Sequence, residues 1–329
     1  MTKTWERGSA LPLVLWMLAV LLIISLSFSY VLQSRVRRME SLFNRFQAHL
    51  EAYSGLQYGI RLFLTGTGSG TELLTATRQF FPDGNRYRMD GTPVAVPLFE
   101  ENPQISIQDY SGLINLNRSN PVLLDGLLKY FGAPELTRRI FIDSLLDWID
   151  PDDLIHLNGA ETDYYRPFGY RPRNGPLLTV DEILMIRGMD ESLFEKIRPF
   201  VIEGFTQGCN FNVAPFEVLM SFAGMTPEAA QRIIQRRKTG FIAGLESISA
   251  VTGADYSLHE DLFSIAPAPS IILQSSSRLG KDHRYILVSH IKRRFGSAVD
   301  SAETGQAVAI EDKGPWDPVD ITFWKEIIR

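Results

Sequence analysis

The sequence predicts an α+β protein in which one long N-terminal helix packs on a small antiparallel sheet and a large helical domain is inserted into that sheet. Three observations predict this fold: an uncharged apolar run near the N-terminus, helix-period apolar spacing that continues beyond the run, and a helical block between two groups of short alternating strands. With 329 residues, of which 45% are hydrophobic, the chain has enough apolar side chains to bury such a core.

The apolar run near the N-terminus carries no charged side chain between residues 8 and 34. Because about 20 helical residues cross the hydrocarbon core of a bilayer, residues 9–34 are predicted to form a single transmembrane segment. A cleaved secretory signal has a shorter apolar core and is followed by small residues, whereas this run passes directly into charged sequence. The segment is therefore predicted to be a retained membrane anchor.

Apolar residues continue at helical spacing through residues 35–64, which are predicted to be an amphipathic continuation of the same helix. Most of their steps alternate between three and four residues, as expected for one helix with one apolar face. These positions are Val36, Met39, Phe43, Phe46, Leu50, Tyr53, Ile60 and Leu64. An unbroken helix over residues 9–64 would be roughly 80 Å long. Its second half would pack on a globular domain and offer its apolar face to other helices, and an anchor followed by a juxtamembrane coiled coil is the alternative.

Strand signals occur on both sides of the helical block. A Gly/Thr/Ser stretch at 66–72 ends the long helix. Alternating runs at 105–108 and 113–117 flank a turn and are predicted to pair as a hairpin. The later runs at 270–277, 285–293 and 307–312 are also predicted to be strands.

These signals divide the globular part into three pieces. Residues 65–120 hold the first strands, residues 121–265 form the inserted helical domain, and residues 266–329 hold the last strands and a C-terminal tail. The single cysteine, Cys209, excludes an intramolecular disulfide and is predicted to be buried.

The segment LLDWIDPDDLIHLNGAETDYYRPFGYRPRNGPLLTVDEI, at 145–183, contains a dense acidic loop. Like charges in one loop repel one another unless water or a cation neutralises them. Oxygen atoms in a flexible loop are the ligands that Ca²⁺ takes, although the spacing here is not that of an EF-hand. The candidate ligands are Asp150, Asp152, Asp153, Glu161 and Asp163. A solvated loop is the alternative, and Asp147, placed on a helix beside Trp148, is open to a structural role.

The chain opens with a short polar leader, MTKTWERG, and the apolar helix begins directly after it. This arrangement resembles the class III leader of type IV pilins and secretion pseudopilins. The resemblance implies that a prepilin peptidase cuts between Gly8 and Ser9 and that Ser9 becomes N-methylated. Most members of that family carry a glutamate at the fifth mature position, which is Leu13 here. An unpaired carboxylate is costly in lipid, so Leu13 fits a subunit with no neighbour above it.

The acidic segment closely resembles the signature of K-type minor pseudopilins of type II secretion: D-W-[IL]-D-x-D-D, then G-A-E-x-D-Y-Y, then N-x-P-L. Two further pieces, RGMDESLFEKIRPFV and AGMTPEAAQRIIQRR, resemble the helix-hairpin-helix unit of DNA-binding proteins and the SAM-like insert of K-type pseudopilins. The resemblance implies a structural subunit that caps or nucleates the pseudopilus tip. Its implied partners are the other minor pseudopilins, the major pseudopilin and the prepilin peptidase, and its implied cofactor is Ca²⁺.

The implied location is the inner membrane, crossed once, with the C-terminal domain in the periplasm. Arg35, Arg37 and Arg38 follow the span, and the positive-inside rule alone would favour the opposite orientation. Two other classes stay open: a membrane-tethered DNA receptor of the competence type, and a minor pilin of a type IV pilus. A basic patch would serve the first class, although such a patch is most often a solvated helix face. It comprises Arg232, Arg236, Arg237 and Lys238.

Catalytic and nucleic-acid functions are not predicted. The net charge of −5 gives no bulk attraction to nucleic acid. The five histidines show no metalloprotease spacing, and phosphate-loop, dinucleotide and nucleophile-elbow motifs do not occur. A non-enzymatic protein without a small-molecule substrate is therefore predicted.

Overall fold

The structure, a computed structural model, describes residues 10–65, 72–73, 87–96, 103–118, 121–204, 208–253, 257–279, 283–293 and 319–328. Its helices are α1 (Ala10–Thr65), α2 (Pro121–Tyr130), α3 (Glu135–Ile149), α4 (Thr162–Tyr165), α5 (Glu191–Ile197), α6 (Phe216–Leu219), α7 (Pro227–Thr239) and α8 (Leu245–Thr252). Short 3₁₀ helices lie at Tyr110–Gly112, Arg166–Phe168, Val180–Met185, Arg198–Phe200 and Ser257–Leu262.

The strands are β1 (Glu72–Leu73), β2 (Tyr87–Arg88), β3 (Val94–Ala95), β4 (Gln104–Asp109), β5 (Ile114–Asn115), β6 (Val201–Ile202), β7 (Cys209–Asn210), β8 (Phe263–Ser264), β9 (Ser270–Leu279), β10 (His283–Arg293) and β11 (Val319–Ile328). The main sheet has five strands in the order β11-β10-β9-β4-β3, and every neighbouring pair is antiparallel. The predicted fold class is confirmed.

Helix α1 is continuous over 56 residues, a length of roughly 84 Å, which confirms the prediction of one long helix. It is long and apolar enough to cross a membrane, and its most apolar stretch is not buried in the chain. The predicted leader residues Gly8 and Ser9 lie outside the described residues, as do most of the 66–72 stretch and the predicted strand at 307–312.

The C-terminal third of α1 packs on β9, β10 and β4. Small residues allow this close approach: a Cβ added at Gly59 would lie 2.6 Å from Leu273 Cδ1, and one at Gly55 would collide with the Ser275 hydroxyl. Ala48, Ala52, Leu56 and Ile60 are buried on the same face. Of the apolar positions predicted at helical spacing, those between residues 36 and 53 are all exposed. The face of α1 that packs on the sheet is therefore different from the apolar face that these positions form.

The predicted hairpin of residues 105–108 and 113–117 is wrong. Strand β4 pairs with β9 and β3, whereas β5 pairs in parallel with β6. The intervening turn is a 3₁₀ helix, Tyr110–Gly112, that carries the chain out of the sheet and into the helical insert. The strands predicted at 270–277 and 285–293 are confirmed as β9 and β10, and β11, which the sequence did not indicate, lies at the sheet edge.

The insert has its own apolar core, separate from the core between α1 and the sheet. The predicted helical character of residues 121–265 is confirmed, since α2 to α8 all lie within this range and the 3₁₀ helix Val180–Met185 lies between α4 and α5. Helix α2 contacts α6 closely because Gly126 has no side chain to collide with the Ser221 carbonyl. Thr226 caps α7, since its hydroxyl accepts a hydrogen bond of 3.2 Å from Ala229 N.

The two chain crossings between sheet and insert are tied together by the buried carboxylate of Asp109. Its Oδ1 accepts hydrogen bonds from Ser111 N at 2.7 Å, on the way out of the sheet, and from Ala268 N at 3.0 Å, on the way back. Burial raises the pKa of Asp109 to about 6, while the Ser111 and Ala268 amides oppose the shift. The crossings are therefore held at one point of the molecule.

A buried ion pair also joins the insert to the sheet side of the molecule. Arg237 on α7 lies 3.3 Å from Asp90 Oδ2 and donates to the carbonyls of Phe211 at 3.1 Å and Ala214 at 2.6 Å. Arg88 Nε contacts the same carboxylate oxygen at 2.9 Å. One member of the predicted basic patch is thus an internal structural residue.

His290 provides a pH test of this junction. Its Nδ1 lies 2.7 Å from the Tyr110 hydroxyl, and burial, followed by the nearby Arg198 charge, lowers the pKa of His290 to about 4. The unfolded chain binds a proton near pH 6.5 and the folded chain does not until about pH 4, so this residue makes the folded state lose stability as the pH falls through that window.

Asp109 acts in the opposite direction, because its raised pKa favours the folded state as the pH falls. We therefore expect the loss of stability on going from about pH 7 to about pH 5 to be smaller in His290→Gln than in the wild type, measured by urea unfolding. Equal losses in the two proteins would contradict the assignment of a neutral, buried imidazole.

Candidate functional site

The acidic loop begins where α3 ends. Asp150 caps the helix, with its N–H donating to Leu146 O at 3.0 Å, and the chain then turns back beside the last turn of α3. Asp143 and Asp147, one turn apart on α3, hold the returning loop. Asp143 Oδ2 accepts from the backbone and side-chain nitrogens of Asn158, both at 2.9 Å, and Asp147 Oδ1 accepts from His156 N at 3.0 Å.

Asp147 is fully buried and also contacts the ring Nδ1 of His156. This hydrogen bond is the largest cause of the raised pKa of His156. The second carboxylate oxygen, Asp147 Oδ2, is buried and has no hydrogen-bond partner among the described residues. Gly159 lies against that oxygen, and a Cβ at this position would collide with it. The loop is thus folded tightly around a carboxylate oxygen that is left unsatisfied.

Glu161 is the second unusual carboxylate. Only 3% of its surface is exposed, and neither oxygen has a hydrogen-bond partner in the described part of the chain. Burial, followed by the charges of three nearby aspartates, raises the pKa of Glu161 to about 7. These aspartates are Asp147, Asp150 and Asp153.

Asp150 and Asp153 complete the cluster. Asp150 Oδ1 is buried without a described partner, and burial, followed by the charges of Asp152 and Asp147, raises the pKa of Asp150. Asp153 Oδ1 accepts from Asn174 Nδ2 at 3.1 Å. Asn174 has a left-handed backbone, with φ of 49°, and its own Oδ1 is buried and unsatisfied among the described residues.

The structure therefore treats the five predicted ligands differently. Asp150, Asp153 and Glu161 belong to one cluster, whereas Asp163 is 85% exposed and pairs with Arg166 at 3.0 Å. Asp152 is exposed, and its Oδ1 accepts from Leu154 N at 2.9 Å. The cluster adds Asp147, for which the sequence left a structural role open.

A metal ion would find three ligand atoms already close together. One atom each from Asp147, Asp150 and His156 lie within 4.8 Å of one another. Buried carboxylate oxygens without donors are costly, and a cation removes that cost. The arrangement offers several oxygens and one histidine whose nitrogen is engaged by Asp147, which suits an oxygen-seeking cation better than a nitrogen-seeking one.

The aromatic rings of Trp148, Tyr165 and Tyr170 form a layer beside the acidic loop. The buried ring of Trp148 lies 5.3 Å from that of Tyr165 in an edge-to-face arrangement, and the Tyr170 ring packs beside both. Arg187 Nη1 donates to Gly159 O at 3.0 Å, which ties the layer to the loop. Tyr165 is fully buried in this layer, whereas Tyr164 and Phe168 are exposed.

Comparison with known proteins agrees with this architecture. Residues 112–202, which include the acidic loop, match the family model described as type II secretion system (T2SS), protein K. Type II secretion system protein K of Pectobacterium carotovorum subsp. carotovorum is 23% identical over 260 residues, which are 74% of this chain and 79% of that protein. The protein of the same name from Dickeya chrysanthemi is 31% identical over 111 residues, 32% of this chain and 30% of that protein.

A solved structure shares the fold. It is the crystal structure of the GspK-GspI-GspJ complex from the type 2 secretion system of enterotoxigenic Escherichia coli, which matches with a TM-score of 0.53 and 17% identity over 80% of this chain and 94% of that one. Together with these matches, the long apolar helix on an antiparallel sheet and the helical insert with its acidic loop support a minor pseudopilin of the type II secretion system. Over most of its length the chain is similar to type II secretion system protein K. Neither the DNA-receptor nor the type IV pilin alternative finds support.

Proposed function

We propose that the protein is a non-catalytic subunit that occupies the distal tip of the pseudopilus and closes it to further growth. The single observation that carries the proposal is the position of the insert relative to the membrane-spanning part of α1. Gly55 faces Ser275 and Gly59 faces Leu273, so β9 runs antiparallel to α1. The first residues of β9 and the end of β4 therefore lie at the end of the sheet that is far from the anchor.

The insert leaves and re-enters the sheet at that far end, since Asp109 pairs with Ile271. A helical domain in this position would cover the end of a subunit on which the next one would have to stack. Leu13, which lies on α1, removes the carboxylate that the family resemblance assigns to contacts with a neighbouring N-terminus. Both features suit a subunit with nothing above it.

The exposed apolar face of α1 gives the subunit a way to join the filament. Val36 lies roughly 39 Å along the helix from Ala10, which is farther than the hydrocarbon core of about 30 Å. The exposed apolar side chains beyond that point would therefore not all be covered by lipid. They are Val36, Met39, Phe43, Phe46, Leu50 and Tyr53. Helices of sister subunits would cover them by ridge-into-groove packing.

The partners follow from the same surface. The related Escherichia coli protein was crystallised with GspI and GspJ. We propose that this chain binds its own counterparts of those two subunits and meets the major pseudopilin below them. The insert would lie in the periplasm, on the opposite side of the inner membrane from the leader.

Charging the apolar face tests this proposal. The double variant Phe43→Glu/Phe46→Glu is expected to reduce co-purification of minor pseudopilins I and J with the tagged full-length protein by about tenfold or more. Two aromatic side chains that the proposed complex would bury against the sister helices are then replaced by charged ones. Leu136→Glu, which charges a similarly exposed apolar position on α3, is the control and should retain both partners. Unchanged co-purification of the double variant would contradict the helix-bundling role.

Maturation at the leader is proposed as a separate step. Cleavage after Gly8 would free Ser9 for methylation and release the apolar helix from its polar leader. Intact-mass spectrometry of the protein from its native membrane is expected to show a chain that begins at Ser9 with one added methyl group. Gly8→Ala should retain the leader and Thr4→Ala should not, and a mature chain that still begins at Met1 would contradict the assignment.

We also propose that the acidic cluster holds Ca²⁺. Asp147, Asp150, Asp153 and Glu161 would supply carboxylate oxygens, three of these residues having buried oxygens that lack described partners. His156 would orient Asp147 through its Oδ1 and leave Oδ2 free for the ion. The ion would neutralise four crowded carboxylates and so fix the loop against α3.

A further inference from the structure

The acidic loop carries an exposed apolar tip, formed by Leu154, Ile155 and Leu157. These side chains are 75%, 64% and 95% exposed, respectively, although the surrounding domain buries most of its large apolar residues. A neighbouring group of apolar side chains in water is unfavourable for an isolated protein and is typical of a binding surface. The side chains of these three residues have no role in the metal cluster, in which carboxylates, main-chain groups and the His156 imidazole take part.

The apolar tip is held rigidly although its side chains point outward. Asp152 Oδ1 accepts from Leu154 N at 2.9 Å, Asp147 Oδ1 accepts from His156 N at 3.0 Å, and Gly159 N donates to His156 O at 2.9 Å. The backbone on both sides of the exposed side chains is therefore fixed before any partner arrives. A preorganised surface loses little conformational entropy on binding, so even a small apolar contact yields useful affinity.

The charges beside the apolar tip select the chemistry of its partner. Asp152 and Asp153 directly precede it, and Asp152 is exposed. A cation in the cluster would neutralise the buried carboxylates but leave the exposed Asp152 in place. An anionic lipid surface would be repelled by this edge, whereas Lys or Arg side chains would be attracted to it.

We propose that the apolar tip is a docking surface for a second protein of the secretion pathway, whose binding site is an apolar groove bordered by Lys or Arg side chains. The leucine and isoleucine side chains enter the groove, and Asp152 pairs with the basic border. This contact is separate from the sister-subunit contacts of α1, because the loop belongs to the insert and α1 packs on the sheet.

The chain provides a direct test by site-specific cross-linking. Cys209, its only cysteine, is buried, and burial raises the pKa of its thiol to about 12, so a new surface cysteine reacts selectively. The full-length Leu157→Cys variant is labelled with a maleimide-benzophenone in native membranes that contain the whole secretion system. The labelled membranes are then irradiated. Leu136→Cys, an exposed position on α3, is the matched control.

We expect Leu157→Cys to give a discrete protein adduct that Leu136→Cys does not give. Peptide mapping should place the adduct on apolar residues of the partner beside Lys or Arg, and Asp152→Asn or added salt should reduce its yield severalfold. Adducts with lipid alone, adducts mapped to an acidic surface, or the same products at both positions would overturn the proposal.

A secretion assay separates docking from assembly. Leu154→Ser/Leu157→Ser is expected to retain co-purification with minor pseudopilins I and J while protein release into the medium falls by about tenfold, as for loss of a central apolar contact. Normal release by this variant would overturn the proposal and leave the tip-subunit assignment intact. Loss of the sister subunits would also overturn it, because the loop would then act in assembly.

Discussion

Replacing Arg237 with alanine is expected to lower the free energy of unfolding by about 3–5 kcal/mol, the usual effect of breaking a buried ion pair. The substitution leaves Asp90, whose side chain is 3% exposed, without one of its two cationic partners, and it leaves the Phe211 and Ala214 carbonyls without their donor. Burial alone would raise the pKa of Asp90, but Thr92, Arg237 and Arg88 together bring it below its usual value. The carboxylate is thus charged in the folded protein and depends on these contacts.

Urea unfolding of the detergent-solubilised protein, followed by circular dichroism, measures the effect. Arg236→Ala, at the exposed neighbouring position on α7, is the control and should change stability by no more than about 0.5 kcal/mol. Equal effects of the two substitutions would mean that Arg237 belongs to a solvated basic face after all. A strong effect at Arg237 alone would identify it as the connection between insert and sheet.

Removing Ca²⁺ is the second change for which a large effect is expected. At a free concentration about a thousandfold above the dissociation constant, a bound ion stabilises the folded state by about 4 kcal/mol. For a domain of this size the melting temperature should fall by about 10 °C when a chelator is added. Differential scanning calorimetry measures the shift, and elemental analysis measures the calcium content of the purified protein.

Two acidic substitutions make this experiment specific. Glu161→Gln should abolish the chelator effect, because Glu161 is buried inside the cluster, whereas Asp163→Asn should leave it unchanged, because Asp163 is exposed and paired with Arg166. In the absence of metal, Glu161→Gln is also expected to be at least as stable as the wild type above pH 7, since one of four mutually repelling carboxylates is gone. A chelator without effect on the wild type, together with calcium-free protein, would refute the metal proposal.

The parts of the fold that depend on local periodicity could be predicted from the sequence. The unbroken α1 and the strands β9 and β10 follow from apolar spacing within a single element. The predicted hairpin failed because the hydrogen-bonding partner of β4 is β9, far along the chain, and a local turn pattern carries no information on such a distant pairing. The edge strand β11 was missed for a similar reason, since it is defined by its pairing with β10.

The buried position of Arg237 could have been predicted from the sequence. It lies seven residues after Ala230 and four after Ile233, both buried, so helical spacing places it on the apolar face of α7. A charged residue on the buried stripe of a helix is a signal for an internal ion pair. Its partner Asp90 could not be predicted, because the contact joins two parts of the chain that only the tertiary structure brings together.

The acidic loop could be predicted from the sequence, but the set of carboxylates that cluster within it could not. Sequence spacing grouped Asp163 with Glu161, yet one turn of helix α4 turns Asp163 outward while Glu161, just before the helix, stays inside. Asp147 enters the cluster because the loop returns to the side of α3, and this return depends on hydrogen bonds to Asn158 and His156 that no local pattern reveals. The residue types indicated a candidate cation site, and the packing of the loop determined which carboxylates lie together in it.

The pairing of Asp109 with Ile271 has a consequence for how such a chain can change over evolutionary time. Topologically, the whole helical block is the connection between two adjacent strands, and the entropy needed to close a connection grows only with the logarithm of its length. The pairing of β4 with β9 would require only that the two ends of this connection lie next to each other. The block could therefore be enlarged, trimmed or exchanged for another while the register of the strands beneath it stays the same.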